Sequence, residues 1–124
     1  MSVRSEFAAV LATDWADIPE LADVRVIATE RELDDIQVTT ALIRMKGIAR
    51  TTGAPMSHRD YSVTLTVISP HLDLDLAGDE LDVLAEAVLD YLSTRFQSEP
   101  AQVVGYLDRL ALDIPVTITA QKEA

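Results

Sequence analysis

Two histidines, His58 and His71, are the only imidazoles in this 124-residue chain, so a nucleophile–base–acid arrangement would need one of them. Ser57-His58-Arg59-Asp60 gathers reactive residue types. Neighbours along a strand point to opposite faces, however, and that keeps the serine hydroxyl away from the adjacent ring. His71 follows a strand-like run, where a solvated imidazole is the ordinary outcome. Asp73-Leu74-Asp75-Leu76-Ala77-Gly78 opens like a calcium-binding loop. The match then fails, because Ala77 occupies the third ligand position and Leu84 stands where a bidentate glutamate is required. The alternating leucines suggest instead a loop pinned to the core with its acids in water.

The absence of cysteine removes disulfides, thiolate chemistry and cysteine-ligated zinc or iron–sulfur sites. Gly47, Gly53, Gly78 and Gly105 are too far apart to cradle a phosphate. Trp15 and the three tyrosines are scattered, without the basic interleaving of a stacking platform for single strands. The expectation is a protein with no catalytic residue, no metal and no cofactor.

Charge is the more informative signal. Between Gln37 and Asp60 stand four basic residues, Arg44, Lys46, Arg50 and Arg59, against the single acid Asp60, a balance of +3. The whole chain is at −11, which leaves −14 for the remainder. From Asp73 to Asp90 there are seven acids (Asp73, Asp75, Asp79, Glu80, Asp82, Glu86, Asp90) and no basic residue. Such a net charge repels a phosphate backbone and argues against nonspecific nucleic-acid binding. A basic segment on an acidic body suits docking onto something acidic, including another copy of the chain. Lysine and arginine also decorate exposed strands to block edge-to-edge aggregation, which needs no partner.

The elements that must position these residues follow from periodicity. Nearly half the residues are apolar, and the length fits one domain over 1–124 with its own core. Phe7, Val10, Leu11 and Trp15 predict an amphipathic helix over about 3–16, capped by Ser2 or Ser5 and stopped ahead of Pro19. Asp23 to Thr29 is β-branched and predicts a strand. Gln37 to Ala49 and Asp60 to Ser69 predict a long hairpin around Thr51, Thr52, Gly53, Ala54, Pro55, Met56 and Ser57. Its first strand has apolar residues on both faces, with Leu42 and Ile48 opposite Ala41, Ile43 and Met45. Asp79 is placed to cap a helix over about 80–97, with Leu81, Leu84, Ala85, Val88, Leu92 and Phe96 as its core stripe. Leu110, Leu112, Ile114, Val116 and Ile118 share one face of a last strand, in which Pro115 predicts an edge or a bulge. The resulting fold class is α+β, in the order α-β-β-β-α-β. Two helices pack on one face of a mainly antiparallel four-stranded sheet with a long hairpin between its second and third strands. The N-terminal residues lack the pattern of a signal peptide, and no run is apolar over the roughly 18 residues a membrane span needs. A soluble, intracellular domain is expected.

With these elements in place the chain resembles the tail terminator proteins of long non-contractile-tailed (siphovirus-type) phages, particularly those of actinobacteria. The resemblance is carried by the N-terminal helix ahead of Val24-Arg25-Val26-Ile27 and by the long hairpin ending Tyr61-Ser62-Val63-Thr64-Leu65-Thr66-Val67. The Asp79 to Phe96 helix and the closing Leu112-Asp113-Ile114-Pro115-Val116-Thr117-Ile118 strand complete it. It implies a virion protein at the head-proximal end of the tail, assembled in the host cytoplasm. The implied assembly is a homo-oligomeric ring, usually a hexamer, that caps the tail tube, stops its polymerisation and provides the head–tail joining surface. Implied partners are the tail tube protein, a neck or connector protein, and DNA in transient passage without specific binding. The family has no catalytic residues to transfer.

Within that frame the basic hairpin (Arg44, Lys46, Arg50 and Arg59 with the Thr51 to Ser57 loop) is expected to dock on a neighbour's acidic segment from Asp73 to Asp90. Reversing Arg44, Lys46 and Arg50 to glutamate would then abolish the ring while sparing the monomer. Rival readings are another phage neck protein, of the head-completion or connector type, and a small-molecule-binding α/β regulatory domain. An enzyme relying on His58 or His71 comes third.

Overall fold

A computed structural model describes residues 2–31, 33, 36–50 and 58–121. Helix α1 spans Val3–Trp15, and the Ser2 hydroxyl starts it by accepting the Ser5 N–H at 3.1 Å. Phe7, Leu11 and Trp15 recur at helical spacing and are its buried face. A turn through Ile18 and the buried Leu21 leads to β1, Arg25–Ala28. Strands β2 (Thr40–Arg50) and β3 (His58–Ile68) form the long hairpin. Helix α2, Leu74–Ser93, returns across the sheet to two short strands, β4 (Gln97–Ser98) and β5 (Gln102–Tyr106), and then to β6 (Arg109–Gln121).

The sheet runs β1-β2-β3-β6, with β4 and β5 both paired to the outer side of β6. Strand β3 is its spine, antiparallel to β2 on one side from Arg59 to Ile68 and to β6 on the other from His58 to Ile68. One face, here the front, carries both helices. Ala41, Ile43, Val63, Leu65, Val67, Leu112, Ile114 and Val116 meet Phe7, Leu11 and Trp15 of α1 and Leu81, Leu84, Val88 and Leu92 of α2 in one core. On the back face a smaller cluster joins Ile36 and Leu33, from the β1–β2 connection, to Leu42, Ile68, Tyr106 and Ala111. Burial of Leu42 beneath this connection explains why β2 is apolar on both sides.

Several expectations are corrected. The sheet is mixed and six-stranded, not four-stranded and mainly antiparallel, because β1 runs parallel to β2 (Arg25 beside Thr40) and because β4 and β5 exist. The element order is therefore α-β-β-β-α-β-β-β. Helix α2 begins five residues before Asp79. Asp73 is its cap, with the carboxylate accepting the Asp75 and Leu76 N–H groups, so much of the expected acidic loop is helix. Ile48 does not face away from Ile43 and Met45. A β-bulge between Met45 and Gly47 adds Lys46 to the strand and restores phase, placing Ile48 beside Tyr61 on the front face. Pro115 lies in an inner strand. Its carbonyl accepts the Glu99 N–H, so its missing donor faces the break between β4 and β5, where no ladder bond is lost.

Candidate protein interaction surface

The expected docking arm is part of a broader blade. Because β6 accompanies β3 to its start (His58 beside Gln121), the far end of the hairpin is three strands wide. Eleven residues of β3 reach ~36 Å at ~3.3 Å each.

The four basic residues of this region have separate placements. Arg44 lies on the back face, half-buried, and its Nη2 donates to the Thr66 hydroxyl at 3.1 Å. Thr66 is fully buried and donates onward to the Asp113 carboxylate at 2.7 Å. The guanidinium also stands 5.9 Å from the centre of the Tyr106 ring, whose hydroxyl accepts the Leu33 N–H at 2.7 Å. Arg44 therefore ties β2, β3, β5 and β6 together, its guanidinium bonded within the subunit. Lys46 is the exposed extra residue of the bulge on an open stretch of β2, the kind of position where lysine discourages strand pairing. One residue earlier the Met45 N–H is capped by the Glu30 carboxylate at 3.1 Å, and Glu30 also pairs with Arg4 at 3.0 Å. Arg50 and Arg59 are register partners at the far end of the hairpin, two steps beyond the Ile48–Tyr61 pair, with Ala49 and Asp60 paired between them. Thr51 to Ser57, expected to reach a neighbour, lie outside the described residues.

The acids divide as well. Asp75, Asp79, Asp82, Glu86 and Asp90 repeat at helical spacing along the side of α2 opposite its buried residues. Asp73 is occupied as the cap. Glu80 is half-buried, accepting the Thr39 hydroxyl at 2.9 Å and facing His71 Nε2 at 3.6 Å. Glu86 and Asp90 line a shallow hollow of about 450 Å³ between α2 and the Ile18–Glu20 turn, with Arg95 at its rim. At its floor the Tyr91 hydroxyl donates to Asp14 at 2.5 Å beneath the Arg95 guanidinium. Burial, and then the Asp14 carboxylate, push the Tyr91 phenol above its ordinary range.

Sequence reasoning missed one feature of the surface. Leu72, Leu74 and Leu76 are not pinned to the core; all three are exposed, because α2 starts early and hands its inward positions to Ala77 and Leu81. The alternation with aspartate had been their only signal. Among the described residues no three His, Asp or Glu side chains gather as a metal would need, and no helix is long and apolar enough to cross a membrane. No protein-family model matches the chain, and no curated protein matches it.

Proposed function

We propose that the chain is a structural subunit of the tail-terminator type, forming a homo-oligomeric ring that caps a phage tail tube, stops its polymerisation and offers the surface for head–tail joining. The observation that supports this most directly is the segregation of charge along the molecule. Five acids form a stripe on the outward side of α2, and the basic residues Arg50 and Arg59 sit at the far end of the blade. In a closed ring every contact joins two different surfaces of the subunit, and unlike charges at those surfaces set orientation and reject wrong registers. The acidic stripe, turned toward the channel, would let DNA pass without sticking, since like charge repels the phosphate backbone. The tail tube protein and a neck or connector protein are the partners of the two ring faces.

Electron microscopy of particles assembled without this chain tests the proposal. Overlong or unjoined tails are expected. Heads that leak DNA would point to a head-completion role instead, and normal particles would overturn both readings.

A further inference from the structure

The hollow beside Glu86 and Asp90 continues along α2. A second hollow of about 380 Å³, reaching Asp23, Thr39 and Glu80, shares Glu20 and Val83 with the first. The two make one groove between α2 and the α1–β1 connection, with Arg95 at one end and Thr39 at the other. From Glu80 to Asp90 the helix rises ~15 Å, enough to hold about five residues of extended chain.

The floor of the groove is apolar. Ile18 and Ala87 are half-buried, and Val83 is 59% exposed because Leu81, Leu84 and Val88 take the inward positions of that stretch of α2. The walls are acidic. Glu20 and Asp23 stand on the connection and Glu86 and Asp90 on the helix, all four exposed. Among the described residues, none of these four carboxylates has a hydrogen-bond or ion-pair partner. Glu80, by contrast, is already held by Thr39 and His71. Arg95 shows how the site takes a cation: its guanidinium stands 4.5 Å from the centre of the Tyr91 ring and 4.0 Å from the Asp14 carboxylate. A basic side chain of the chain itself thus fills one end of the groove, and the acids beyond it are left without one.

We infer that this groove binds a short basic segment of another protein, with lysine or arginine side chains on Glu20, Asp23, Glu86 and Asp90 and an apolar side chain on Val83. Charge complementarity selects the occupant. An acidic segment is repelled, and a purely apolar one would cover the carboxylates without pairing them. A basic segment carrying one apolar residue satisfies walls and floor together. A second copy of the chain brings a net charge of −11 with it, so a different, basic protein is the better-matched occupant. The inference does not rest on the ring reading. Of the acidic stripe it uses Glu86 and Asp90 and leaves Asp75, Asp79 and Asp82, which line neither hollow.

Fluorescence anisotropy of the full chain with a labelled peptide, all lysine but for a central leucine, tests it at low ionic strength. The groove variant is Glu86→Gln with Asp90→Asn. The control, Asp79→Asn with Asp82→Asn, removes the same charge from α2 outside the groove. All four positions are exposed, and melting curves matching wild type establish that both variants fold. Wild type should bind, and rising salt should weaken binding, since exposed ion pairs are screened. The groove variant should bind at least ~5-fold more weakly, the loss expected for two such pairs, and the control within ~2-fold of wild type. Equal losses in the two variants would mean that the peptide reads net charge alone, and would overturn the site. A wild-type chain that leaves the peptide free at low salt overturns it too. Self-association of wild type that only the groove variant abolishes would make a second copy the occupant and overturn the assignment to another protein. None of these results bears on the terminator reading, which the particles assembled without the chain decide.

Discussion

Arg44→Glu should weaken the fold itself, whether or not the chain assembles. The Arg44 guanidinium makes a charge-assisted bond to the buried Thr66 hydroxyl, and losing such a bond costs about 1.5–3 kcal/mol. Thr66 passes the interaction on to Asp113, so the charge at position 44 lies within ~6 Å of that carboxylate, the reach of two hydrogen bonds in series. A second negative charge there costs ~3 kcal/mol at an effective dielectric of ~20. Water reaches this half-buried site, and about half of that electrostatic figure is the working value. A net destabilisation of ~3 kcal/mol follows, equivalent to ~10 °C in the melting midpoint of a domain this size. Thermal and urea unfolding followed by circular dichroism, at concentrations where no assembly occurs, would measure it. Lys46→Glu is the control and should stay within ~0.5 kcal/mol of wild type, because its side chain is exposed on the bulge. An Arg44→Glu chain that melts within ~2 °C of wild type but no longer assembles would refute the structural role and restore Arg44 to the docking surface.

Two further outcomes are expected. Gly78 lies inside α2 with open space where a Cβ would go, so Gly78→Ala should stabilise the domain by ~1 kcal/mol, read as a rise of ~3–5 °C in a thermal scan. The Tyr91 phenol is held above its ordinary value of 10.0, so the unfolded chain releases that proton first as pH rises. The Tyr91 contribution is whole below about pH 10 and is lost above it. Urea midpoints should consequently fall more steeply above pH 10 in wild type than in Tyr91→Phe, and parallel curves would count against the buried Tyr91–Asp14 bond.

The parts of the fold legible in the sequence were those whose burial leaves a single-period trace. The α2 stripe through Leu81, Leu84, Val88 and Leu92, the alternation of β3 and that of β6 all lie where the pattern placed them. Strand β5 escaped because its hairpin to β6 lacks the usual punctuation. The two-residue turn is Leu107-Asp108, and Leu107 takes a positive φ of 55° where glycine or asparagine is the common choice. The phase of Ile48 escaped because a bulge is a backbone event that leaves no mark in composition. The division of the basic residues was equally hidden. Only the pairing of β2, β3 and β6 shows that Arg44 is bound to Thr66 while Arg50 is the register partner of Arg59. The exposed leucines at 72, 74 and 76 were visible as residues but were read as core, since apolar type alone does not distinguish a packed side chain from an exposed one.

The central position of β3 also governs the order of events during synthesis. Its partner on one side is the adjacent β2, but on the other it is β6, some sixty residues later at the His58–Gln121 pairing. Pairing of that range is slow, because a long loop must close before its contacts contribute. Until β6 is made, a nascent chain presents Val63, Leu65 and Val67 on a strand with one unpaired edge and half of its sheet missing. A chain stopped before Arg109 has no substitute for that edge and is the form most exposed to aggregation. The sheet therefore closes from its last strand, and the surfaces at its two ends mature together at that moment.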